Sequence, residues 1–344
     1  MIYVGLDISG KSLVLHGMNE KKKTVFKGEI PPNKRALRKA MHGLGAETRL
    51  VVFEASNQLK WIAQCLRKMK GVHIHVVHPN ELKWITQSNG KTDKADARKL
   101  AELARGNLLP RKVHIVEGVI RELRELISAR NIAMRKRVSL TNCLRSYALQ
   151  EGCSINASFL LNPKWPELLP SLKISENLKV IFTTIMPAVD ALRDAEEEFL
   201  LRIKDIEDDR LDLVQTIPGI GPLVSATIVS ALDNVERFDN KKCVAKYGAL
   251  APTIYQSGNV TRLGHINFDG RREIRRVLLQ SAHIIIRMKS PAAKPLRDFY
   301  DRIKAKRGKK IATIALCRKV LTIAYGILKT GNPYDPFVLT PNLV

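Results

Sequence analysis

Residues 2–30 read IYVGLDISGKSLVLHGMNEKKKTVFKGEI. Three apolar runs, 2–8, 13–18 and 24–30, are separated by Gly10-Lys11 and by the polar stretch NEKKK, a pattern that predicts three short adjacent strands joined by turns. Downstream the signals alternate. A helix is expected over 33–44, a buried strand at LVVFEA (50–55), a helix near 57–70 and a further strand at HIHVV (73–77), closed by His78-Pro79. A short helix (80–87) and a loop, SNGKT (88–92), then lead into DKADARKLAELARG (93–106), a helix with Gly106 as its stop. Three consecutive strands followed by strand–helix alternation imply a mixed sheet covered by helices.

From about 117 to 150 the period changes to that of a long helix, with Ile120, Leu123, Leu126 and Ile127 on one side. An irregular stretch over 152–175 carries Pro163, Pro166 and Pro170, and a second long helix is expected over 176–212, kinked or broken at Pro187. Such a pair reads as a helical hairpin or coiled-coil arm, with an ordinary two-helix layer as the alternative. Then comes TIPGIGPLVSATIVSAL (216–232), the helix-hairpin-helix pattern, in which Gly219 and Gly221 permit a tight turn whose backbone N–H groups can meet a phosphate. A short helix (241–249), a loop (250–265) and helices near 270–288 and 310–330 complete the chain. The expected division is 1–115, 116–210 and 211–344.

The chain has 344 residues, a prior of about two domains. Hydrophobic residues make up 45%, which excludes global disorder. No apolar run is read as reaching the ~18 residues of a membrane span, and the acid in MIYVGLDISGKS argues against a signal peptide. Five cysteines with no CxxC or Cys/His spacing exclude a zinc module or disulfide scaffold and suit a reducing, cytoplasmic setting. The net charge of +25 calls for a polyanion, nucleic acid first. The surplus is uneven. Residues 1–110 hold 20 bases against 9 acids, 258–310 hold 15 against 4, and 185–215 hold 4 against 10. Two basic regions therefore flank an acidic helix, which is expected to pair with a basic surface of its own or a neighbouring protomer. Within the second basic region Arg271, Arg272, Arg275 and Arg276 share helical spacing, as nucleic-acid contacts would.

Four acids carry the candidate chemistry. Asp7 and Glu54 end apolar strands, where an isolated carboxylate is unfavourable. Asp93 and Asp96 lie three apart at a helix start and share one face, with Thr92 and Asp93 as rival caps. Brought together, such carboxylates repel until one takes a proton or a hard divalent cation enters. Two Mg²⁺ ions between them would stabilise both oxygens of a phosphoryl displacement.

GLDISGKS, VVFEAS and GKTDKADARKLAEL, followed by IPGIGPLVSATIVSAL, FDNKKCVAKYGALAPTIYQSG and RREIRRVLLQSA, together resemble the DEDD transposases of bacterial insertion sequences, over residues 1 to about 330. That family includes the Piv-type DNA invertases and recombinases guided by a bridge RNA. The resemblance implies an α/β, RNase-H/RuvC-like N-terminal domain, a central coiled-coil arm and a mainly α C-terminal domain. It places the acidic tetrad on Asp7, Glu54, Asp93 and Asp96 as Mg²⁺ ligands, with Mn²⁺ as a substitute. It places a serine nucleophile on Ser257, in Gln256-Ser257-Gly258. On chemistry alone Thr253, Tyr255 and Thr261 are rivals. Ala55-Ser56-Asn57 departs from the family pattern of a small residue, Thr or Ser, then Gly, and is expected to alter a loop. The resemblance further implies donor and target DNA, a structured guide RNA, and a homo-oligomer, dimer or tetramer, in a bacterial cytoplasm at the nucleoid and without a membrane. The alternatives are a structure-specific nuclease or Holliday-junction resolvase, which needs the tetrad but not Ser257, and a non-catalytic nucleic-acid-binding protein. A sugar-kinase or actin-like reading of GLDIS needs a second Gly-rich phosphate loop that the sequence lacks.

Overall fold

The computed structural model describes residues 1–45, 48–82, 92–257, 260–266 and 270–337. The chain divides into two compact units, Met1–Ile115 and Val116–Val344.

In the first unit the three apolar runs pair as expected: β1 (Ile2–Ile8), β2 (Leu13–Asn19) and β3 (Thr24–Ile30) form an antiparallel meander. After α1 (Lys34–Gly43), β4 (Arg49–Glu54) pairs parallel to β1; after α2 (Leu59–Arg67), β5 (Val72–Val77) pairs parallel to β4. The sheet order is β3-β2-β1-β4-β5. Alternation assigns the faces. Val4, Leu6, Val51 and Phe53 pack with Leu37 and Met41 of α1 and Ile62 and Leu66 of α2. The opposite face presents Tyr3, Leu50 and Val52 to Leu100, Leu103 and Ala104 of α3 (Asp93–Arg105). Of the short helix expected over 80–87, a single 3₁₀ turn, Pro79–Leu82, is seen; residues 83–87, and SNGK of the following loop, lie outside the described residues.

The second unit begins with α4 (Gly118–Gln150), which packs along α7 (Glu176–Lys204). Two short helices, α5 (Ala157–Leu160) and α6 (Trp165–Leu168), lie between them. Leu144 and Ala148 of α4 meet Phe182, Met186 and Val189 of α7 in a core of their own. Farther down, Arg137 holds the buried Glu196 through both carboxylate oxygens. At the base Ile120, Leu123 and Ile127 join Ile203 in the C-terminal core. The pairing is therefore antiparallel. Within the acidic block Glu198 pairs with Arg202, Asp190 with Arg193, and Asp208 with Arg210.

That core is built from α8 (Asp209–Gln215), α9 (Pro222–Leu232), α10 (Lys241–Tyr247), α11 (Arg272–Arg287) and α12 (Lys294–Thr330). Five expectations are corrected. The helix expected over 176–212 ends at Lys204, and α8 restarts after Asp208, whose carboxylate caps it at the Arg210 N–H. Pro187 does not end α7: Met186 and Val189 are fully buried beside it, and their packing offsets the ~3 kcal/mol cost of an interior proline. The loop expected over 250–265 contains a hairpin, β6 (Pro252–Ser257) and β7 (Val260–Ile266); in the sequence, adjacent β-branched residues (Thr253-Ile254 and Val260-Thr261) flank Gly258-Asn259, a dipeptide that signals a hairpin. The last helix starts at Lys294, not 310, and is interrupted at Gly308 (φ 80°, ψ 167°). Among the described residues one span, Pro291–Thr330, is by length and composition apolar enough to cross a membrane, contrary to the sequence reading. Leu316, Val320, Leu321 and Ala324 of that helix are buried in the C-terminal core.

Candidate active site

Two adjacent strand ends and one helix start gather the four acids. Leu6 of β1 is in register with Phe53 of β4, so Asp7 and Glu54, each one residue further, lie side by side and point to the α3 face. Thr92 caps α3: its hydroxyl accepts from the Ala95 N–H at 3.2 Å, which leaves both Asp93 and Asp96 in the first turn with their carboxylates uncommitted to capping.

A glycine that the sequence reading passed over brings helix and sheet together. A Cβ on Gly5 would stand 1.8 Å from the Ala97 carbonyl oxygen and 2.8 Å from the Ala101 nitrogen. Gly5 lies two residues before Asp7 on the same strand face, so α3 rests directly on β1. The signal was present: a glycine inside an apolar strand marks close backbone approach, and Ala97 and Ala101 form a small-residue stripe.

The electrostatics report the crowding. Burial first, then the carboxylates of Asp93 and Asp96, and more weakly Glu54, push the Asp7 carboxyl up to about 6; the Ile8 N–H offsets only part of this. Asp96 Oδ1 is buried without a hydrogen-bond partner, and Lys99 Nζ stands 3.8 Å away. Among the described residues no three His, Cys, Asp or Glu side chains are close enough to form a metal-binding group. The Ala55-Ser56-Asn57 departure falls in the turn into α2, where Gln58 Nε2 donates to the Ser9 carbonyl at 2.7 Å and ties the loop after β4 to the loop after β1.

In the second unit Ser257 is the last residue of β6, in register with Val260. Gly258 lies outside the described residues. Of the rival hydroxyls, Thr253 donates to the His265 carbonyl at 3.1 Å and Tyr255 is exposed. The TIPGIG turn joins α8 to α9. Gly219 adopts φ 78°, and a Cβ there would stand 2.7 Å from Ile285 Cγ1, so it serves close packing on α11. Gly221 caps α9 with open space at its Cα. The four arginines stand at the start of α11. Arg271 pairs with Glu273 at 3.1 Å, Arg275 donates to the Ala249 carbonyl, Arg276 donates to Asn131 of α4, and Arg272 is exposed.

Two family models match separate segments of the chain. A model of IS110-type DEDD transposases, described as Transposase, matches residues 4–152, which hold all four acids. A model described as Transposase IS116/IS110/IS902 family matches residues 211–298, which hold the TIPGIG turn, Ser257 and the arginines. The chain is 34% identical to the pilin gene-inverting protein of Moraxella bovis over 128 residues, 37% of this chain and 39% of that one. It is 23% identical to the transposase for insertion sequence element IS1111A of Coxiella burnetii across 96% of this chain and 90% of its relative. A probable family 20 transposase of Pseudomonas aeruginosa is 21% identical across 97% and 98%. With its acids in the order Asp, Glu, Asp, Asp in the first matched segment and the second segment following, the chain belongs to the IS110-type DEDD transposase family.

Proposed function

We propose that the protein is a DNA recombinase that cuts and exchanges strands with a metal-bound acidic tetrad and a serine nucleophile. The observation that carries this reading is that Asp7 and Glu54 end neighbouring strands facing the start of α3, where Asp93 and Asp96 lie near enough to help raise Asp7 to about 6. The sheet order, a three-stranded antiparallel meander extended by two parallel strands, supports an RNase-H/RuvC-like domain. The donor set suits a hard divalent cation: oxygen ligands only, a buried carboxylate oxygen without a partner, and a carboxyl whose proton affinity is raised by burial and by neighbouring carboxylates. Asp7, Glu54, Asp93 and Asp96 would hold Mg²⁺, with Mn²⁺ as a substitute. Bound there, the cation supplies Lewis-acid stabilisation of the leaving oxygen and favours ionisation of the attacking hydroxyl.

Ser257 supplies that hydroxyl. Its Oγ bonds to phosphorus as one P–O bond to a deoxyribose oxygen breaks, its proton departs and the leaving oxygen gains one. The phosphoserine link conserves the ester, so rejoining needs no external energy source. Gly221 at the start of α9 and Arg271, Arg272, Arg275 and Arg276 at α11 contact the nucleic-acid backbone, and the TIPGIG segment acts as a helix-hairpin-helix. The antiparallel arm is the dimerisation element, and a structured guide RNA specifies the DNA sites by base pairing.

The test is covalent trapping. With Mg²⁺ and substrate DNA, the wild-type protein should yield a phosphoserine adduct at Ser257. Ser257→Ala should lose the adduct and recombination while keeping DNA binding, and Asp93→Asn should lose both reactions. DNA cleavage by Ser257→Ala at the wild-type rate would instead establish a hydrolytic nuclease or junction resolvase. RNA that co-purifies with the protein, sequenced, tests the guide.

A further inference from the structure

A cavity of about 620 Å³ opens in the second unit where α4, α9 and α11 meet. Its wall carries six arginines: Arg124 and Arg135 from α4, and Arg271, Arg272, Arg275 and Arg276 from the start of α11. One acid, Glu273, lines it with them, and its carboxylate is engaged by Arg271. The α4 contribution is a regular face, since Arg124, Ser128, Asn131 and Arg135 recur at helical spacing. Ile127 and Leu279 supply the apolar part of the lining.

So many guanidiniums around one cavity oppose the packing of α4 on α11. The fold holds them by other means. Arg124 Nε donates to the Ser230 carbonyl at 2.7 Å and its Nη2 to the Ala231 carbonyl at 3.3 Å, so it caps the C-terminus of α9. Arg276 leans on Asn131 across the cleft. Beside them, Arg130 Nε is buried with no hydrogen-bond partner. Burial and the neighbouring Arg271 and Arg237 lower the Arg124 guanidinium to about 10, against the partial relief of Tyr247 and Asp233. Arginine cannot shed its proton at neutral pH, so this charge is relieved only by an anion. The cavity is large enough for a sugar–phosphate unit, and its fork-shaped donors suit phosphate oxygens.

We propose that this cavity seats a single backbone phosphate of a bound nucleic acid, and that the phosphate ties the base of the arm to α11. The proposal deepens the recombinase reading and rests on it for the nature of the polyanion. It adds Arg124 and Arg135, which lie far from the α11 arginines in sequence, and it puts the phosphate against the two arginines exposed in the lining, Arg135 and Arg272, with the other four supplying positive charge around it.

The test uses the full-length protein and the double variant Arg135→Gln/Arg272→Gln. Both side chains are exposed at the mouth, so their loss spares the packing beneath. Binding is measured against salt concentration with a short duplex DNA and with a single-stranded RNA of equal length. A single shared phosphate predicts that the log–log salt slope falls by about 0.9 on duplex DNA, or by about 0.7 on single strands. The arm that changes identifies which nucleic acid enters. An unchanged slope in both arms overturns the proposal. A fall of about 1.8 on DNA also overturns it, since the two arginines would then hold separate phosphates. Thermal unfolding gives a second measurement. Inorganic phosphate, replacing chloride at constant ionic strength, should raise the wild-type Tm and leave the double variant's unmoved; equal shifts overturn the seat. Adduct trapping on the same preparations separates the two readings. An adduct with an unchanged slope rejects the seat alone, and a lowered slope without an adduct rejects the serine alone.

Discussion

The sheet end of the first unit and the α4–α11 cavity of the second are opposites in charge and alike in construction. Each gathers like charges by close backbone packing. At the sheet end Gly5 lets α3 rest on β1 and sets two helix acids against Asp7. In the cavity the start of α11 is fixed by Gly270, at which a Cβ would stand 2.6 Å from three backbone atoms of residues 246–249. The two sites differ in how repulsion is relieved. A carboxylate can take up a proton, and Asp7 moves to about 6. A guanidinium cannot lose one, so Arg124 and Arg276 turn to carbonyl and amide oxygens. The acidic site therefore changes charge with pH, whereas the basic site keeps its charge until an anion arrives.

Breaking the packing should have the largest effect. Gly5→Ala sets its Cβ against backbone atoms of α3, which cannot rotate away. The variant should lose stability at or above the top of the ~1–3 kcal/mol range for overpacking, measured by urea unfolding. Stability equal to wild type would show that α3 does not lie on Gly5. The oppositely charged pair in the arm is the control for both crowded sites. Glu196→Ala leaves Arg137 half-buried without its carboxylate and should cost about 3 kcal/mol, whereas replacing both residues with apolar ones should recover most of that loss. Equal losses in the single and double variants would show that the pair contributes only packing.

The third effect is the smallest and depends on pH. Asp7 binds its proton more tightly folded than unfolded, so its contribution to stability is present below about pH 4 and is lost as pH rises through about 6. Asp7 is half-buried, so screening reduces a bound of about 3 kcal/mol by about half. Asp7→Asn should therefore be the more stable protein at pH 7 without divalent cation, by about 1–2 kcal/mol in a pH series of thermal melts. Mg²⁺ should raise the Tm of the wild type and not of Asp7→Asn. A pH-independent difference between the two proteins would remove the evidence that these carboxylates crowd one another.

The positions of the candidate acids in strand and helix are legible in the sequence. Asp7 and Glu54 at strand ends, and Asp93 and Asp96 in the first turn behind a Thr92 cap, are positions set by alternation, capping and helical spacing. Those interactions act over a few residues. The hairpin that carries Ser257 is hard to read in the sequence because its β-branched residues are adjacent, so neither strand shows a period of two. Pro187 reads in the sequence as a kink or break because its local cost is plain, whereas the burial of Met186 and Val189 beside it is not.

By itself the amino-acid order determined which segments become strands and helices, which chemistry each one carries, and that the positive charge lies in two regions. The tertiary structure alone decided what faces what. Gly5 matters through Ala97 and Ala101, Gly219 through Ile285, and Arg271–Arg276 through Arg124 and Arg135. The physical reason is that burial and charge repulsion depend on distance in space. Residues far apart in the chain acquire their meaning only when the backbone brings them into contact.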